Sequence, residues 1–598
     1  MVSRTQIFVM VVGLVLVGVP VAAAAGSPNT AAAPDSSPTS TDLSNVTSDA
    51  TVADQHPPDP ESDVLGWESG YWYNESIAVT PDDGLNDSEL DAVVARGMAR
   101  VEQIRRLEFE ETPPVEVISR ENYTDRVGNQ TANVTTAQRL HQNVKYEALL
   151  MINESTDAIA AQERNQAGGV GGFYDPSNGE IKIVSENATT PKMNEITLSQ
   201  ELFHALQDQQ FNISSFNQST QELHNAKDGI IEGDGNYVDR LYQQRCEGEW
   251  QGECIMPGES QTPANFSPHI GLYQITLQPY SDGPAFVRDL HQSEGWDAVN
   301  AVYENPPAST EQTIHPEKYG EDEPSPVPIE DTSDDRWRPL DINASINHAS
   351  FGEAGLFVTL WYPGYESSTA TQIIPYRAHL NIGADGLDEL DPYNYNHTYT
   401  NGWDGDKLLP YVTEESSETN ETGYVYRTAW DSPTDAEEFQ NGYEQLLAFH
   451  GAESVDDHEN VYRIPDGEGF NDAFYLDQSG ETFTIVNAPT LAELSGVDAS
   501  APEIEESAET TPNDGTTTEA DDETTTEADN ETTTDDSEDE TTTSDGETTT
   551  DEPDDSETTQ STDTDDSTDA TTTNGPGFVA TSALIGLLAV ALLALRRR

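Results

Sequence analysis

The segment Thr197-Leu-Ser-Gln-Glu-Leu-Phe-His-Ala-Leu-Gln-Asp-Gln209 decides how this sequence is interpreted. We predict that it lies within a helix over about residues 195–211. Gln200 and His204 are four residues apart, so they share one face of that helix, and Glu201 lies beside them. With histidine at position 200 the pattern would be His-Glu-x-x-His, in which two imidazoles bind Zn²⁺ and the glutamate is the general base for the metal-bound water.

A third zinc ligand is expected on the next predicted helix, over about residues 220–244. Glu232, in Ile230-Ile-Glu-Gly-Asp234, is placed to supply it. Gln200 offers only a neutral amide oxygen, which is a weaker donor for Zn²⁺ than imidazole. A catalytic zinc site needs three protein ligands and one open position, so His204 and Glu232 alone would hold the metal loosely. We therefore expect weak zinc binding and impaired catalysis.

A predicted hairpin precedes this helix, over residues 171–185. Asn178-Gly179 suits its turn, and Ile181 and Ile183 alternate along its second strand. Strands followed by a pair of helices indicate a mixed α+β fold. A hairpin at this place also fits the zincin pattern, in which an edge strand lines the substrate cleft.

Three further segments accompany Thr197–Gln209, namely Glu232-Gly-Asp234, Pro306–Tyr319 and Gly402–Asp406. Together they resemble the haloarchaeal secreted surface proteins that have a zincin-like domain and a PGF-type C-terminus, and the resemblance covers most of about residues 86–500. The usual motif of that group is His-Glu-Leu-x-His-Ala-Leu-Gln-Asp-Gln. The resemblance implies that Glu201 is the base, His204 the second metal ligand and Glu232 the third. Gln200 stands where the first histidine is expected.

The charge of the chain is strongly negative, with 111 acidic residues against 26 basic ones and a net charge of −85. Phosphates would be repelled by such a surface, so we expect no nucleic-acid partner. Charge repulsion destabilises the chain at low salt, but in molar salt the Debye length falls to about 3 Å and that cost largely disappears. Abundant acids with scarce lysine are therefore typical of a protein from a salt-saturated environment.

The N-terminus has the pattern of a secretory signal over residues 1–25. Arg4 is followed by an apolar run from Ile7 to Val21, and the small residues Ala22–Ala25 then form a cleavage site. The alternative is an N-terminal membrane helix. A disordered leader, rich in Ser, Thr, Pro and Asp, is predicted over residues 26–60. We therefore expect the folded part to lie outside the cell.

The C-terminus combines a stalk with an anchor. Residues 501–574 are acidic and Thr-rich with no basic residue, so we predict a disordered stalk. In residues 575–598, Pro576-Gly577-Phe578 begins an uncharged apolar run long enough to span the hydrocarbon core, and three arginines follow it. This pattern resembles a PGF-type sorting signal, which implies that an archaeosortase replaces the helix with a lipid, much as in a GPI signal. The alternative is a retained transmembrane anchor. The expected partners are the membrane, the archaeosortase and an S-layer.

Two covalent features are predicted for an extracellular chain. Cys246 and Cys254 are the two cysteines, and such a close isolated pair predicts a disulfide. Asn-x-Ser/Thr sequons predict N-glycosylation at Asn45, Asn74, Asn122, Asn133, Asn187, Asn265, Asn343 and Asn420.

The folded part is divided into a zincin-like α+β ectodomain over residues 61–423 and a β-α-β-β-β segment over residues 424–500. That segment either forms a separate lobe or completes the first core.

We expect a degenerate metallopeptidase-like surface glycoprotein that serves as an interaction or structural module of the envelope. The alternative is an active zinc peptidase with Glu201 as general base. A rebuilt Ca²⁺ or other metal site is a further alternative, built from His204, Asp208, His224, Asp228 and Asp234.

Overall fold

Helices packed against two main sheets make up the part of the chain that the computed structural model describes, which is residues 57–80, 83–167, 170–256, 268–366, 372–384, 386–465, 467 and 469–505. The fold is mixed α+β, as the sequence predicts. The predicted signal peptide, most of the leader and of the stalk, and the sorting signal at Pro576, Gly577 and Phe578 lie outside the described residues, as do Asn45 and Asn265. No helix within the described ranges is long and apolar enough to cross a membrane.

Short strands and long helices alternate in the first part of the described chain. The helices are α1 (Asp87–Arg105), α2 (Arg120–Thr131), α3 (Thr136–Glu147), α4 (Ala158–Ala167), α5 (Glu195–Phe211) and α6 (Gln221–Cys246). The strands are β1 (Trp67–Glu68), β2 (Tyr71–Trp72), β3 (Val115–Ser119), β4 (Gly172–Asp175) and β5 (Glu180–Ser185).

The first main sheet has the strand order β3-β5-β4. Strand β3 runs parallel to β5, whereas β4 runs antiparallel to it, with Tyr174 opposite Ile181. The predicted hairpin is therefore present, and Gly179 in its turn has a φ of +70°, which a glycine adopts without strain. Strand β4 lies at the edge of this sheet, on the side of α5.

Helix α5 carries the deciding segment and has the bounds that the sequence predicts. Asn194 caps its N-terminus by accepting a hydrogen bond from the Ile196 amide, and the chain leaves it at Asn212 in a left-handed conformation. Its buried apolar side chains pack against the sheet and against α6. This apolar cluster includes Leu198, Leu202, Phe203, Leu206, Ile181, Ile183, Val238 and Tyr242. Packing on two sides fixes the rotation of α5 and thus the direction of its polar side chains.

The second part of the described chain adds helices around a larger sheet. The helices are α7 (Ile270–Leu277), α8 (Asp282–Glu294), α9 (Trp296–Val302), α10 (Glu311–Ile314), α11 (Gly352–Glu366), α12 (Ser416–Thr419), α13 (Pro433–Phe449) and α14 (Leu494–Val497). The strands are β6 (Arg338–Pro339), β7 (Ile382–Gly383), β8 (Gly386–Leu387), β9 (Trp403–Val412), β10 (Gly423–Trp430), β11 (Glu453–Ser454), β12 (Val461–Arg463), β13 (Ala473–Ser479) and β14 (Thr482–Ala488).

The larger sheet is antiparallel, in the order β11-β12-β13-β14-β10-β9-β6. The predicted β-α-β-β-β segment corresponds to β10, α13, β12, β13 and β14. These strands extend a sheet that begins earlier in the chain, with β6 and β9. Strand β10 pairs with β9 as well as β14, because both of its edges need hydrogen-bond partners.

One apolar cluster joins the two parts of the described chain. It contains Leu149 and Ile152 from the loop after α3, Phe357 from α11 and Phe474 from β13, all of them at most 1% exposed. The loop after α3 is therefore buried against the larger sheet, and this contact brings acidic residues from distant parts of the chain together.

Candidate functional site

His204 of α5 and Glu232 of α6 face each other where the two helices pack. Their Nε2 and Oε2 atoms are 3.5 Å apart, and their side chains are 5% and 4% exposed. Gly235 permits this approach, because a Cβ atom at that position would lie 3.3 Å from His204 Cε1. The structure thus brings together the two residues that the sequence predicts as second and third metal ligands.

Glu201 lies one turn before His204, next to the edge strand β4. It is 1% exposed, and it accepts a hydrogen bond from the backbone of Tyr174. Gly172 of β4 approaches it so closely that an added Cβ would lie 3.2 Å from Glu201 Cγ. The edge strand and the predicted general base therefore form one wall of the site.

Glu201 Oε2 has no hydrogen-bond partner in the described part of the chain, whereas His204 Nε2 and Glu232 Oε2 lie opposite each other as an ion pair. Buried polar atoms normally have a partner, and leaving one unpaired costs about 1–3 kcal/mol. An unpaired carboxyl oxygen beside this ion pair is suited to a polar ligand.

The orientation of His204 is fixed from behind by Gln207. Gln207 Oε1 lies 2.7 Å from His204 Nδ1, and Gln207 Nε2 donates to the Tyr303 hydroxyl and to the Ile231 carbonyl. Because Gln207 Nε2 already donates these two hydrogen bonds, its Oε1 must accept one from His204, and we therefore assign a proton to Nδ1. Nε2 is then the nitrogen that faces Glu232.

An ion pair supports Gln207 in turn. The Tyr303 hydroxyl donates to Asp234 Oδ2 at 2.8 Å, and Arg105 of α1 donates to both oxygens of Asp234. Gln207, Tyr303 and Arg105 were missed by the sequence analysis. Gln207 could have been found, because it lies in the deciding segment one turn after His204, whereas Tyr303 and Arg105 come from distant elements.

The charge state of the site follows from burial and from its two carboxylates. Burial raises the pKa of Glu201 to about 8, so this carboxyl group holds a proton at neutral pH. Burial by itself would lower the pKa of His204, but the charges of Glu232 and Glu201 outweigh it and raise the pKa to about 10. Without a metal, the arrangement is an imidazolium paired with Glu232 beside a neutral carboxylic acid.

Two more acids of α6, Asp228 and Asp239, lie around this pair. Burial raises the pKa of each well above its ordinary value, and the charge of Glu232 adds to the effect. Asp239 Oδ1 is 3.5 Å from the Ser199 hydroxyl, and Asp228 Oδ2 is 3.3 Å from His224 Nε2. Protonated carboxyl groups of this kind are hydrogen-bond donors for a ligand.

The residues present do not fit a tightly held catalytic zinc ion. Gln200 is buried, at 4% exposure, and stands in place of the first histidine ligand. Two groups of three or more His, Cys, Asp or Glu residues with converging ligand atoms occur in the described ranges, and neither contains His204 or Glu232. The site thus offers one close histidine–carboxylate pair where zinc needs three protein ligands.

Two of the five residues proposed for a rebuilt metal site, Asp208 and Asp234, are held by other partners. Asp208 accepts a hydrogen bond from the Tyr174 hydroxyl, and Asp234 is paired with Arg105. His224 and Asp228 are in contact with each other. Asp208 and Asp234 thus have structural partners of their own, whereas Asp228 lies near the His204–Glu232 pair.

The structure describes both predicted disulfide cysteines and six of the eight predicted glycosylation sites. Cys246 and Cys254 form a disulfide at the C-terminal end of α6, with Cα atoms 5.8 Å apart. Four of the sequon asparagines are exposed and two are partly buried. The exposed ones are Asn122, Asn133, Asn187 and Asn343, and the partly buried ones are Asn74 and Asn420. The Asn420 amide nitrogen donates to the Glu154 carbonyl, so a glycan there would have to accommodate that hydrogen bond.

Comparison with known proteins adds one match. Residues 339–498 match a family described as a domain of unknown function, DUF8575. This range covers most of the larger sheet and lies outside the site of Glu201, His204 and Glu232. No curated protein and no solved structure matches the chain.

Proposed function

We propose that this chain is a membrane-tethered surface protein whose zincin-derived ectodomain binds an extended peptide without hydrolysing it. The observation that carries the proposal is the 3.5 Å contact between His204 Nε2 and Glu232 Oε2, with Gln200 in the position of the missing ligand. A positively charged imidazole paired with the third ligand supplies the charge that a metal ion provides in an active enzyme.

The edge strand supports peptide binding. Strand β4 pairs on one side with β5, and Glu201 lies beside it. An extended peptide can add to such an edge through backbone hydrogen bonds. With its pKa raised to about 8, Glu201 can donate a hydrogen bond to a peptide carbonyl at neutral pH. The same group would have to be ionised to act as a general base.

The tethering part of the proposal rests on the two ends of the sequence. The signal pattern of residues 1–25 and the sorting signal at Pro576-Gly577-Phe578 support export and attachment at the outer face of the membrane. The acidic stalk would hold the ectodomain away from the membrane, within reach of an S-layer. The negative charge and the sequons are consistent with a haloarchaeal surface glycoprotein.

A zinc peptidase is the second candidate, and one observation favours it. Metal-binding histidines usually donate their other ring N–H to a fixed acceptor, and His204 Nδ1 has such an acceptor in Gln207. In this case Gln200 would join His204 and Glu232 as a weak ligand, and Glu201 would be the general base.

Metal content and activity separate the two candidates. The mature protein, Gln200→His and Gln200→His with Glu201→Gln would each be purified in molar salt, then assayed for bound zinc and for peptide cleavage. We expect substoichiometric zinc and no cleavage for the natural sequence, and stoichiometric zinc for Gln200→His. Stoichiometric zinc with Glu201-dependent cleavage in the natural protein would establish the second candidate. Absence of zinc even in Gln200→His would contradict the zincin-derived site itself.

A further inference from the structure

A buried lysine lies where α3 meets the first turn of α6. Lys145, near the C-terminal end of α3, is 7% exposed. Its Nζ donates to Gln221 Oε1 at 3.2 Å and lies 4.8 Å from the centre of the Tyr146 ring. Neither contact supplies a negative charge, and no carboxylate within the described ranges forms an ion pair with Lys145.

Lys318 shows how an ammonium group is neutralised elsewhere in this protein. Its Nζ lies 2.6, 3.0 and 2.8 Å from carboxylate oxygens of Glu311, Asp322 and Asp431. In a chain with 111 acidic residues against 26 basic ones, such a partner is what a lysine is expected to have. Burying a charge without a partner is costly. Lys145 therefore either loses its proton or takes its counter-charge from a ligand.

His141 is an independent indication of a ligand at the same place. It lies one turn before Lys145 on the same face of α3. Its side chain is 7% exposed, and neither ring nitrogen has a hydrogen-bond partner among the described residues. Buried polar atoms normally have one, and a neutral imidazole has one N–H to donate. The two side chains together thus offer hydrogen-bond donors to a ligand that accepts them.

The charges around His141 and Lys145 are positive. Burial first, and then the charges of Lys145 and His348, lower the pKa of His141 to about 4. Burial lowers the pKa of Lys145 to about 7. Lys407 of β9 acts on His348 in turn, since its charge adds to burial in lowering the pKa of that histidine. A negatively charged ligand would relieve this mutual repulsion, whereas a cation would increase it.

Helix α6 fixes the direction of the lysine. Gln221 Nε2 donates to Asn225 Oδ1 at 2.8 Å, and Asn225 Nδ2 donates to the Ile275 carbonyl at 2.7 Å. Because the Gln221 nitrogen is engaged, its oxygen accepts one of the three ammonium hydrogens of Lys145. Even with a second hydrogen directed at the Tyr146 ring, one remains for a ligand.

We infer that Lys145 and His141 bind a small monovalent anion, namely chloride, where α3 packs on α6. Both residues would donate hydrogen bonds to the ion, and its charge would balance the ammonium group. A water molecule could accept the same hydrogen bonds but would leave that charge unbalanced. A small ion suits two side chains that are each 7% exposed, and molar salt, to which the acidic surface is suited, supplies it. This site is separate from that of His204 and does not rest on the proposed function.

The chloride dependence of stability tests this site. The full mature protein would be unfolded thermally at constant sodium concentration and pH, while chloride is replaced stepwise by the much larger anion gluconate. We expect the unfolding temperature to fall as chloride is removed, because a ligand that binds only the folded state stabilises it by mass action. Constant ionic strength leaves the screening of the acidic surface unchanged.

Lys145→Met removes the ammonium group and keeps an apolar chain. It should weaken chloride binding by about 10- to 100-fold, which is the factor that corresponds to a hydrogen bond with a charged group. The unfolding temperature of this variant should then be independent of chloride. Relative to the natural protein, the variant should gain stability as gluconate replaces chloride, because the lysine is then buried without a counter-charge. Lys192→Met removes an exposed lysine, and as the matched control it should keep the chloride dependence.

His141→Phe tests the second donor and keeps the experiment decisive if Lys145→Met does not fold. Because it removes a neutral hydrogen bond, it should weaken chloride binding by about 2- to 10-fold. Crystals grown in NaBr locate the ion directly through the anomalous scattering of bromide. We expect a bromide ion within hydrogen-bond distance of Lys145 Nζ and of one ring nitrogen of His141.

Two results would overturn the inference. One is the same chloride dependence in Lys145→Met as in Lys192→Met, because it would then reflect a general effect of the two anions on the protein surface. The other is the lack of a bromide signal beside Lys145 and His141, which would show that water occupies this place. Neither result would bear on the site of His204, whose test is zinc content and peptide cleavage.

Discussion

His204 Nδ1 lies 2.7 Å from Gln207 Oε1, one turn along the same helix, and this contact turns the other ring nitrogen toward Glu232. The orientation of the central histidine thus depends on a glutamine, which is held by Tyr303 and Ile231. The orientation of His204 therefore depends on Gln207 and on the two groups that hold Gln207 in place.

Replacing Gln207 by leucine should remove the hydrogen bond that orients the His204 ring, and it should also lower the stability of the fold. The change leaves the Ile231 carbonyl and the Tyr303 hydroxyl short of a partner, at a cost of about 1–3 kcal/mol in the free energy of unfolding. Denaturant titration in molar salt measures this loss. In the Gln200→His background, the same change should weaken zinc binding by about 10- to 100-fold, as loss of a supporting partner does elsewhere. Unchanged zinc affinity would show that Gln207 does not position His204.

Gly233→Ala should separate α6 from α8 and displace the neighbouring Glu232. A Cβ atom at position 233 would lie 2.6 Å from the backbone carbon of Gly283, which cannot move away as a side chain can. We expect a loss of about 1–3 kcal/mol in the free energy of unfolding. Gly128→Ala in α2 is the control, because an added Cβ there meets nothing within 4 Å and should stabilise the helix by about 0.5–1 kcal/mol. Equal effects of the two substitutions would contradict the close approach of α6 and α8.

Glu195 should make stability depend on pH in the acidic range. It is fully buried and pairs with Arg96 and Arg100. Burial alone would raise its pKa, but the two arginines outweigh burial and lower it. The unfolded chain then takes up this proton more readily than the folded one. The contribution of Glu195 is thus complete above the ordinary glutamate pKa of about 4.3 and is lost as the pH falls toward the lower folded value.

The Glu195→Gln variant provides the measurement. At neutral pH it should lose about 3–5 kcal/mol in the free energy of unfolding, because two buried arginines lose their counter-charge. The difference between natural protein and variant should shrink as the pH falls below about 4, and denaturant titrations across the pH range measure it. A difference that stays constant with pH would show that Glu195 is not preferentially ionised in the folded state.

Low salt should destabilise the protein. With a net charge of −85, repulsion between acids acts over a Debye length that grows from about 3 Å in molar salt to about 10 Å at about 0.1 M. We expect the thermal unfolding temperature to fall as NaCl is diluted, with pH held constant. An unfolding temperature independent of salt would contradict adaptation of this surface to high salt.

Local features of the fold could be predicted from the sequence. Helix α5 was predicted with its observed bounds, and the hairpin of β4 and β5 was predicted from Asn178-Gly179 and its alternating isoleucines. Both depend on residues that are neighbours along the chain. The proximity of His204 to Glu232 was also expected, because both lie on consecutive helices of a recognisable pattern.

Contacts between distant residues required the tertiary structure. Arg105, Asp234 and Tyr303 support Gln207 from three separate elements, and no local pattern connects them. The same holds for Glu147 and Asp472, which come together because the apolar loop after α3 packs against the larger sheet. The sequence by itself determined the fold class, the deciding helix and the candidate residues, since periodicity and spacing are local properties. Packing of apolar surfaces far apart in the chain decided which acids meet and what neutralises them.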